Sequence, residues 1–198
     1  MFRGFLSYYM ITEYAMDTNG WLDWQKAYRF GVILIFPPDP PAGEVNRLRD
    51  IYDPQGQSYC SAHITLTVPV PRPMEDFHLE ELKILASGFR PFAIHYGPLS
   101  NYLPAPGVVL AIEPKDILSS LVTTLESASV FENAAPRPYP FSPHLTISEF
   151  IDVERTNELM VELQGKTPEG EFLCDRVSYA APNDNFHFTE RARLELAG

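Results

Sequence analysis

Two short strings in this chain carry residue types that could do chemistry, His63-Ile-Thr65 and His144-Leu-Thr146. A neutral imidazole takes a proton near pH 7 and an imidazolium gives one. Two of them on either side of a phosphodiester would supply a base and an acid together, each worth about 10²–10⁴-fold by proton transfer. Side chains alternate along a strand with period two, so His and Thr two positions apart share a face. The Thr hydroxyls can then donate to non-bridging phosphate oxygens, holding the phosphorus in line and stabilising charge as it grows. Neither a metal nor a cofactor is required. The pair could not close a zinc site, which usually takes four ligands, because no Cys or carboxylate joins the repeat.

The elements that must position these strings are themselves duplicated. Gly31-Val-Ile-Leu-Ile-Phe36 matches Gly107-Val-Val-Leu-Ala-Ile112, and Ser61-Ala-His-Ile-Thr-Leu66 matches Ser142-Pro-His-Leu-Thr-Ile147. The separations are 76 and 81 positions, in the same order. Each copy reads as a buried strand, a helix, then the His-containing strand. Two copies are too few for a solenoid. They imply two related α+β lobes that face each other and project matching side chains into one cleft.

Around this repeat the spacing predicts a helix over Glu44–Tyr52, after a turn at Pro40–Gly43, with Asp53–Gly56 as a break. It predicts a His63 strand over Ala62–Val70, a helix over Glu75–Ser87 and a short strand over Phe92–Tyr96. A helix from Lys115 to Ser127, a Pro-rich loop over Asn133–Pro143, a strand over Leu145–Phe150 and a helix over Val153–Leu163 follow. Phe172–Ala180 and Asn185–Leu196 read as a closing antiparallel pair. Residues 1–28 read as an irregular or weakly helical N-terminal extension ahead of a single domain over 29–198.

Two H-x-[ST]-x-hydrophobic motifs some 80 residues apart resemble the 2H phosphoesterase superfamily, and within it the bacterial 2′-5′ RNA ligase or RNA 2′,3′-cyclic phosphodiesterase family. The resemblance covers roughly residues 29–196. It implies a bilobal fold of antiparallel sheets and helices around a central cleft. It implies His63 as the proton donor to the leaving oxygen and His144 as the proton acceptor that activates water or a ribose hydroxyl. Thr65 and Thr146 would bind the phosphate. The reaction implied is hydrolysis of a 2′,3′-cyclic phosphate to a 2′-phosphate, or 2′-5′ ligation. The other reading is a module that binds nucleotides or RNA ends on the same fold without turning them over.

Further residues are weighed against plainer roles. Arg137 could pair with phosphate, while Tyr139 or Phe141 could stack on a base. Solvated loop positions are the plain alternative. Phe36 ends its strand and would reach the cleft or stay in the core. His78 is expected on a helix surface, His95 in a structural role rather than in the cleft, and His187 structural or exposed. Cys60, three residues before His63, lacks an evident partner that would make it a thiolate.

Composition narrows the partners. The 198 residues carry a net charge of −11 and no Lys/Arg cluster. Long duplex nucleic acid needs a dense basic surface, so the expected partner is a small nucleotide or an RNA terminus. Apolar residues make up 45% and charged residues 21%, ordinary values that allow a full core. Prolines number 19, about twice the usual share, which argues for many fixed turns. Two cysteines without metal-ligand spacing and no apolar run long enough to span a bilayer lead to the expectation of a cytoplasmic protein; a monomer is expected, although the sequence itself does not fix the oligomeric state.

Overall fold

The computed structural model describes residues 13–102 and 105–198. Chain order runs α1 (Asp23–Ala27), β1 (Val32–Ile35), α2 (Pro41–Tyr52), α3 (Pro54–Tyr59), β2 (Ile64–Thr65), α4 (Asp76–Ser87) and β3 (Phe92–Asn101). Then come β4 (Val108–Glu113), α5 (Lys115–Leu125), a 3₁₀ turn, β5 (His144–Ser148), α6 (Val153–Glu162), β6 (Gly170–Cys174), β7 (Arg176–Pro182) and β8 (Phe188–Glu195). The strands form two antiparallel four-stranded sheets, ordered β2-β1-β7-β8 and β5-β4-β3-β6. Each sheet places its His-motif strand at one edge, beside the first strand of its own repeat. The architecture is the α+β pair of matched lobes that the repeat implies.

Alternation does the sorting within each His strand. Ile64, Leu66, Leu145 and Ile147 are fully buried in one continuous core that spans both sheets. His63, Thr65 and His144 sit on the opposite face, half-buried. Cross-strand partners share a face, so Leu34 opposite Thr65 and Ala180 opposite Val32 extend that face across the first sheet. Gly31 immediately precedes β1 at φ +89°, where an added Cβ would stand 2.3 Å from the Ala180 carbonyl oxygen. Only glycine allows this approach.

Several boundaries differ from the sequence reading. Pro40–Gly43 is not a separate turn: Pro41 opens α2, because a helix's first position loses nothing when its N–H is missing. Asp53 ends α2 and also caps α3, accepting from the Gly56 N–H at 3.1 Å, so the expected break contains a helix. The His63 strand is shorter than Ala62–Val70. After Thr65, both Leu66 and Thr67 N–H groups donate to the Ile33 carbonyl, and the Thr67 hydroxyl accepts from Ile33 N–H at 3.1 Å. A side chain there takes over from the ladder. The strand at Phe92 runs ten residues, through Gly97-Pro98, with a register shift between Tyr96 and Leu99; a shift of this kind accommodates a proline that cannot donate. Phe172–Ala180 is two strands in two different sheets, β6 on β3 and β7 on β1 and β8.

Residues 13–28 pack onto the body. Met16 and Asp17 N–H groups donate to Asp184 Oδ1, at 2.7 and 3.1 Å, and the Trp21 indole donates to the Asp184 carbonyl. Ala15, Trp21 and Phe186 form a small apolar cluster of their own. Residues 1–12, part of the expected extension, lie outside the described residues. Among the described residues, no helix is long and apolar enough to cross a membrane.

Candidate active site

The edge strands β2 and β5 meet where the two sheets adjoin, and a cavity of about 310 Å³ opens there. His63, Thr65, His144 and Thr146 all line it. The two imidazoles are near enough that the charge of His144 bears on His63.

Each ring is tethered in the same way. His63 Nδ1 lies 2.7 Å from the Ser61 carbonyl oxygen, and His144 Nδ1 lies 2.8 Å from that of Ser142. A carbonyl only accepts, so Nδ1 carries the hydrogen in both rings and Nε2 is the nitrogen left for chemistry. The Tyr102 ring stacks on His144 with centroids 4.1 Å apart. Burial, followed by the nearby Arg49 charge, pushes the His63 pKa down to about 4. Burial also lowers that of His144. Both values lie below neutrality, so both rings are neutral at pH 7 in the free protein.

Two polar residues that sequence reasoning passed over stand beside His63. Arg49 on α2 is 1% exposed, and its Nη2 donates to Asp53 Oδ2 at 3.3 Å. Its Nε and Nη1 have no hydrogen-bond partner among the described residues. Its spacing from Val45 held a signal, since the i and i+4 positions of a helix share a face. Glu149 follows β5, and burial pushes its pKa up to about 7, with the Asp53 charge adding to the rise.

Glu149 lines the first cavity, and both residues line a second one, of about 120 Å³, contiguous with the first through Tyr28, His63, Thr65 and Glu149. Its other walls are largely aromatic, from Trp24, Tyr59, Phe150, Phe186 and Phe188.

The remaining candidates separate. Arg137 lines the main cavity, but its guanidinium pairs with Glu126, donates to the Leu66 carbonyl and lies over the Phe141 ring at a centroid distance of 5.1 Å. Tyr139 lines the same cavity and is exposed. Phe36 lines neither cavity and packs half-buried on Val32, Leu34, Cys60 and Ala180. Burial holds Cys60 as a thiol, its pKa raised to about 12, and neither cysteine is in a disulfide. His95 is exposed, 3.4 Å from a Glu171 oxygen, and lines neither cavity. His187 Nδ1 lies 2.8 Å from the Ser58 carbonyl oxygen. His78 is not on the surface as expected: it is 4% exposed, and its Nδ1 accepts from the Glu75 N–H at the start of α4. A helix-capping role draws that ring inward. Among the described residues, no group of three or more His, Cys, Asp or Glu is arranged to hold a metal ion.

Residues 37–184 match the family model of the 2′-5′ RNA ligase superfamily. The chain belongs to this superfamily. A protein of Bacillus cytotoxicus named "putative phosphoesterase" is 28% identical over 167 residues, covering 82% of this chain and 95% of the relative. One of Bacillus cereus with the same name is 31% identical over 159 residues, covering 78% and 84%. Among solved structures, Escherichia coli LigT complexed with 3′-AMP superposes with a TM-score of 0.58 at 17% identity, covering 84% of this chain and 97% of LigT. The protein TT0787 of Thermus thermophilus gives 0.55 at 13% identity, with the same coverage. At these identities the structural likeness is one of fold. The superfamily match begins at residue 37, so Trp24 and Tyr28 lie before it, and Phe186 and Phe188 lie beyond its end.

Proposed function

We propose that this chain is a metal-independent phosphoesterase that acts on 2′,3′-cyclic phosphate or 2′-5′ phosphodiester bonds of small nucleotides or RNA ends. The observation that carries the reading is the convergence of both His-x-Thr faces on one cavity, each ring held by Nδ1 with Nε2 left over. Binding alone has no use for two proton carriers tethered alike.

In the hydrolytic direction, Nε2 of His144 takes a proton from water as its oxygen attacks the phosphorus. The bond to the ribose 3′ oxygen breaks, and His63 Nε2–H protonates that oxygen. The products are a 2′-phosphate and a free 3′ hydroxyl. The two rings then exchange their proton states through solvent. Thr65 and Thr146 donate to the non-bridging oxygens, whose charge grows in the transition state. Arg137 holds the Pro-rich loop over the cavity through Glu126 and Leu66, and Tyr139 offers a ring at the rim.

The test is turnover of nucleoside 2′,3′-cyclic phosphates, with the product position read by phosphorus NMR. His63→Ala and His144→Ala should each lower kcat by about 10²–10⁴-fold or more, with the circular dichroism spectrum unchanged. Wild-type turnover should persist in EDTA. Clear binding of these compounds without turnover would instead make the chain a nucleotide-binding module, and turnover abolished by chelator would end the metal-free mechanism.

A further inference from the structure

The second cavity has no task in the proton transfers just described, yet it opens onto them. It lies on the same sheet face as His63 and Thr65, over Val32 and Leu34. Its volume of about 120 Å³ corresponds to about four waters at roughly 30 Å³ each, so a planar ring would fill it. Several of its walls, among them Trp24, Tyr28, Phe186 and Phe188, come from outside the residues that match the family model.

Three observations point to a ligand. Trp24 is 39% exposed and Phe150 57% exposed; both line the cavity, and their rings touch with centroids 5.2 Å apart. Large aromatic faces left in water in a cavity wall mark a binding surface. Phe150 and Phe186 both hold left-handed backbone, at φ +58° and +59°. Bulky residues rarely adopt it, and such conformations cluster at ligand clamps. Arg49 is buried in the wall with two N–H donors unmatched among the described residues. A buried donor without a partner is costly, and a ligand acceptor would relieve it. Glu149, opposite in character, offers a carboxyl to the same space.

We propose that this aromatic side pocket is a subsite for the base of the nucleotide whose phosphate sits at His63 and His144, with Trp24 and Phe150 as its exposed aromatic wall and Arg49 and Glu149 as its polar contacts. A base edge with an N–H beside a carbonyl, as in guanine, fits a guanidinium next to a carboxyl. The proposal rests on the phosphoesterase reading for its substrate, but it can be judged separately.

The experiment compares guanosine 2′,3′-cyclic phosphate with the base-free 1-O-methylribose 2′,3′-cyclic phosphate on the full chain. The base should improve kcat/KM by about tenfold or more, the effect expected of one base–aromatic stack, chiefly through KM. In Trp24→Ala and Phe150→Ala that advantage should collapse to about threefold or less. Phe150 is exposed, so its variant keeps the test alive if Trp24→Ala does not fold.

Direct binding is read in Trp21→Phe, where Trp24 is the remaining indole: guanosine 2′-phosphate should quench its fluorescence and ribose 5-phosphate should not. Absence of turnover on every cyclic phosphate would defeat the phosphoesterase reading, while the quenching titration still decides the pocket. Equal kcat/KM with and without the base, or equal quenching by the two phosphates, overturns the subsite.

Discussion

An imidazole whose Nδ1–H is committed to a main-chain carbonyl can act only through Nε2. His63 and His144 share this arrangement, and in both the ring is shielded enough to resist protonation. The proposed mechanism needs His63 protonated and His144 neutral at once. With both values lowered in the free protein, the correctly protonated fraction shrinks as pH rises above them. Therefore kcat/KM, which reports the free enzyme, should peak on the acid side of neutrality and decline between about pH 6.5 and pH 8. A bound phosphodiester anion favours the charged imidazolium, so the kcat profile should lie at higher pH than that of kcat/KM. Steady-state rates at saturating and limiting substrate across this range check both statements. A kcat/KM that climbs from about pH 6.5 to about pH 8 would remove His63 from the role of acid.

At the scale of elements, the His strands are short and borrow their rigidity. Thr67 caps the end of β2 with its hydroxyl, and Arg137 and Glu126 fasten the Pro-rich loop and the Val68 N–H to the same place. On the other side, Ser148 at the end of β5 donates to the Tyr52 carbonyl at the end of α2, at 2.9 Å and fully buried. That single bond ties the strand bearing His144 to the helix bearing Arg49. Ser148→Ala leaves the carbonyl unmatched, at a cost of about 1–3 kcal/mol. The melting temperature should then fall by about 2–10 °C, and turnover should fall with it, because α2 loosens from β5. Differential scanning calorimetry beside kinetics would detect this, and Ser119→Ala on an exposed helix face is the control. Equal melting temperatures for the two variants would show that the tie does not matter.

For the whole molecule, the governing fact is a net charge of −11 around a site proposed to take anions. The surface field repels polyanions, while the cleft binds one phosphate through local contacts. Salt screens the repulsion more than the buried contacts. Raising ionic strength from about 10 mM to about 150 mM should therefore lower KM for an oligonucleotide ending in a cyclic phosphate. KM for a mononucleotide should change much less. This is the reverse of the salt weakening expected for a basic nucleic-acid binder. An oligonucleotide KM that rises with salt would point to a basic track that the net charge conceals.

Local pattern alone carried the repeat, the two buried first strands, the period-two faces of His63-x-Thr65 and His144-x-Thr146, and the α+β class, because alternation and helical spacing are properties of a few adjacent residues. Residues placed by partners distant along the chain were not legible. Helical spacing puts Arg49 on the face of Val45, but its place beside His63 follows only when the sheets pack, and Glu149 reads as a charge after a strand until two cavities meet at it. His78 turns inward for a helix end, and Trp24 becomes a cavity wall only because Phe186 returns beside it from the other end of the chain. Burial and proximity are set by contacts between distant segments, and those arise only when the two sheets pack on one core.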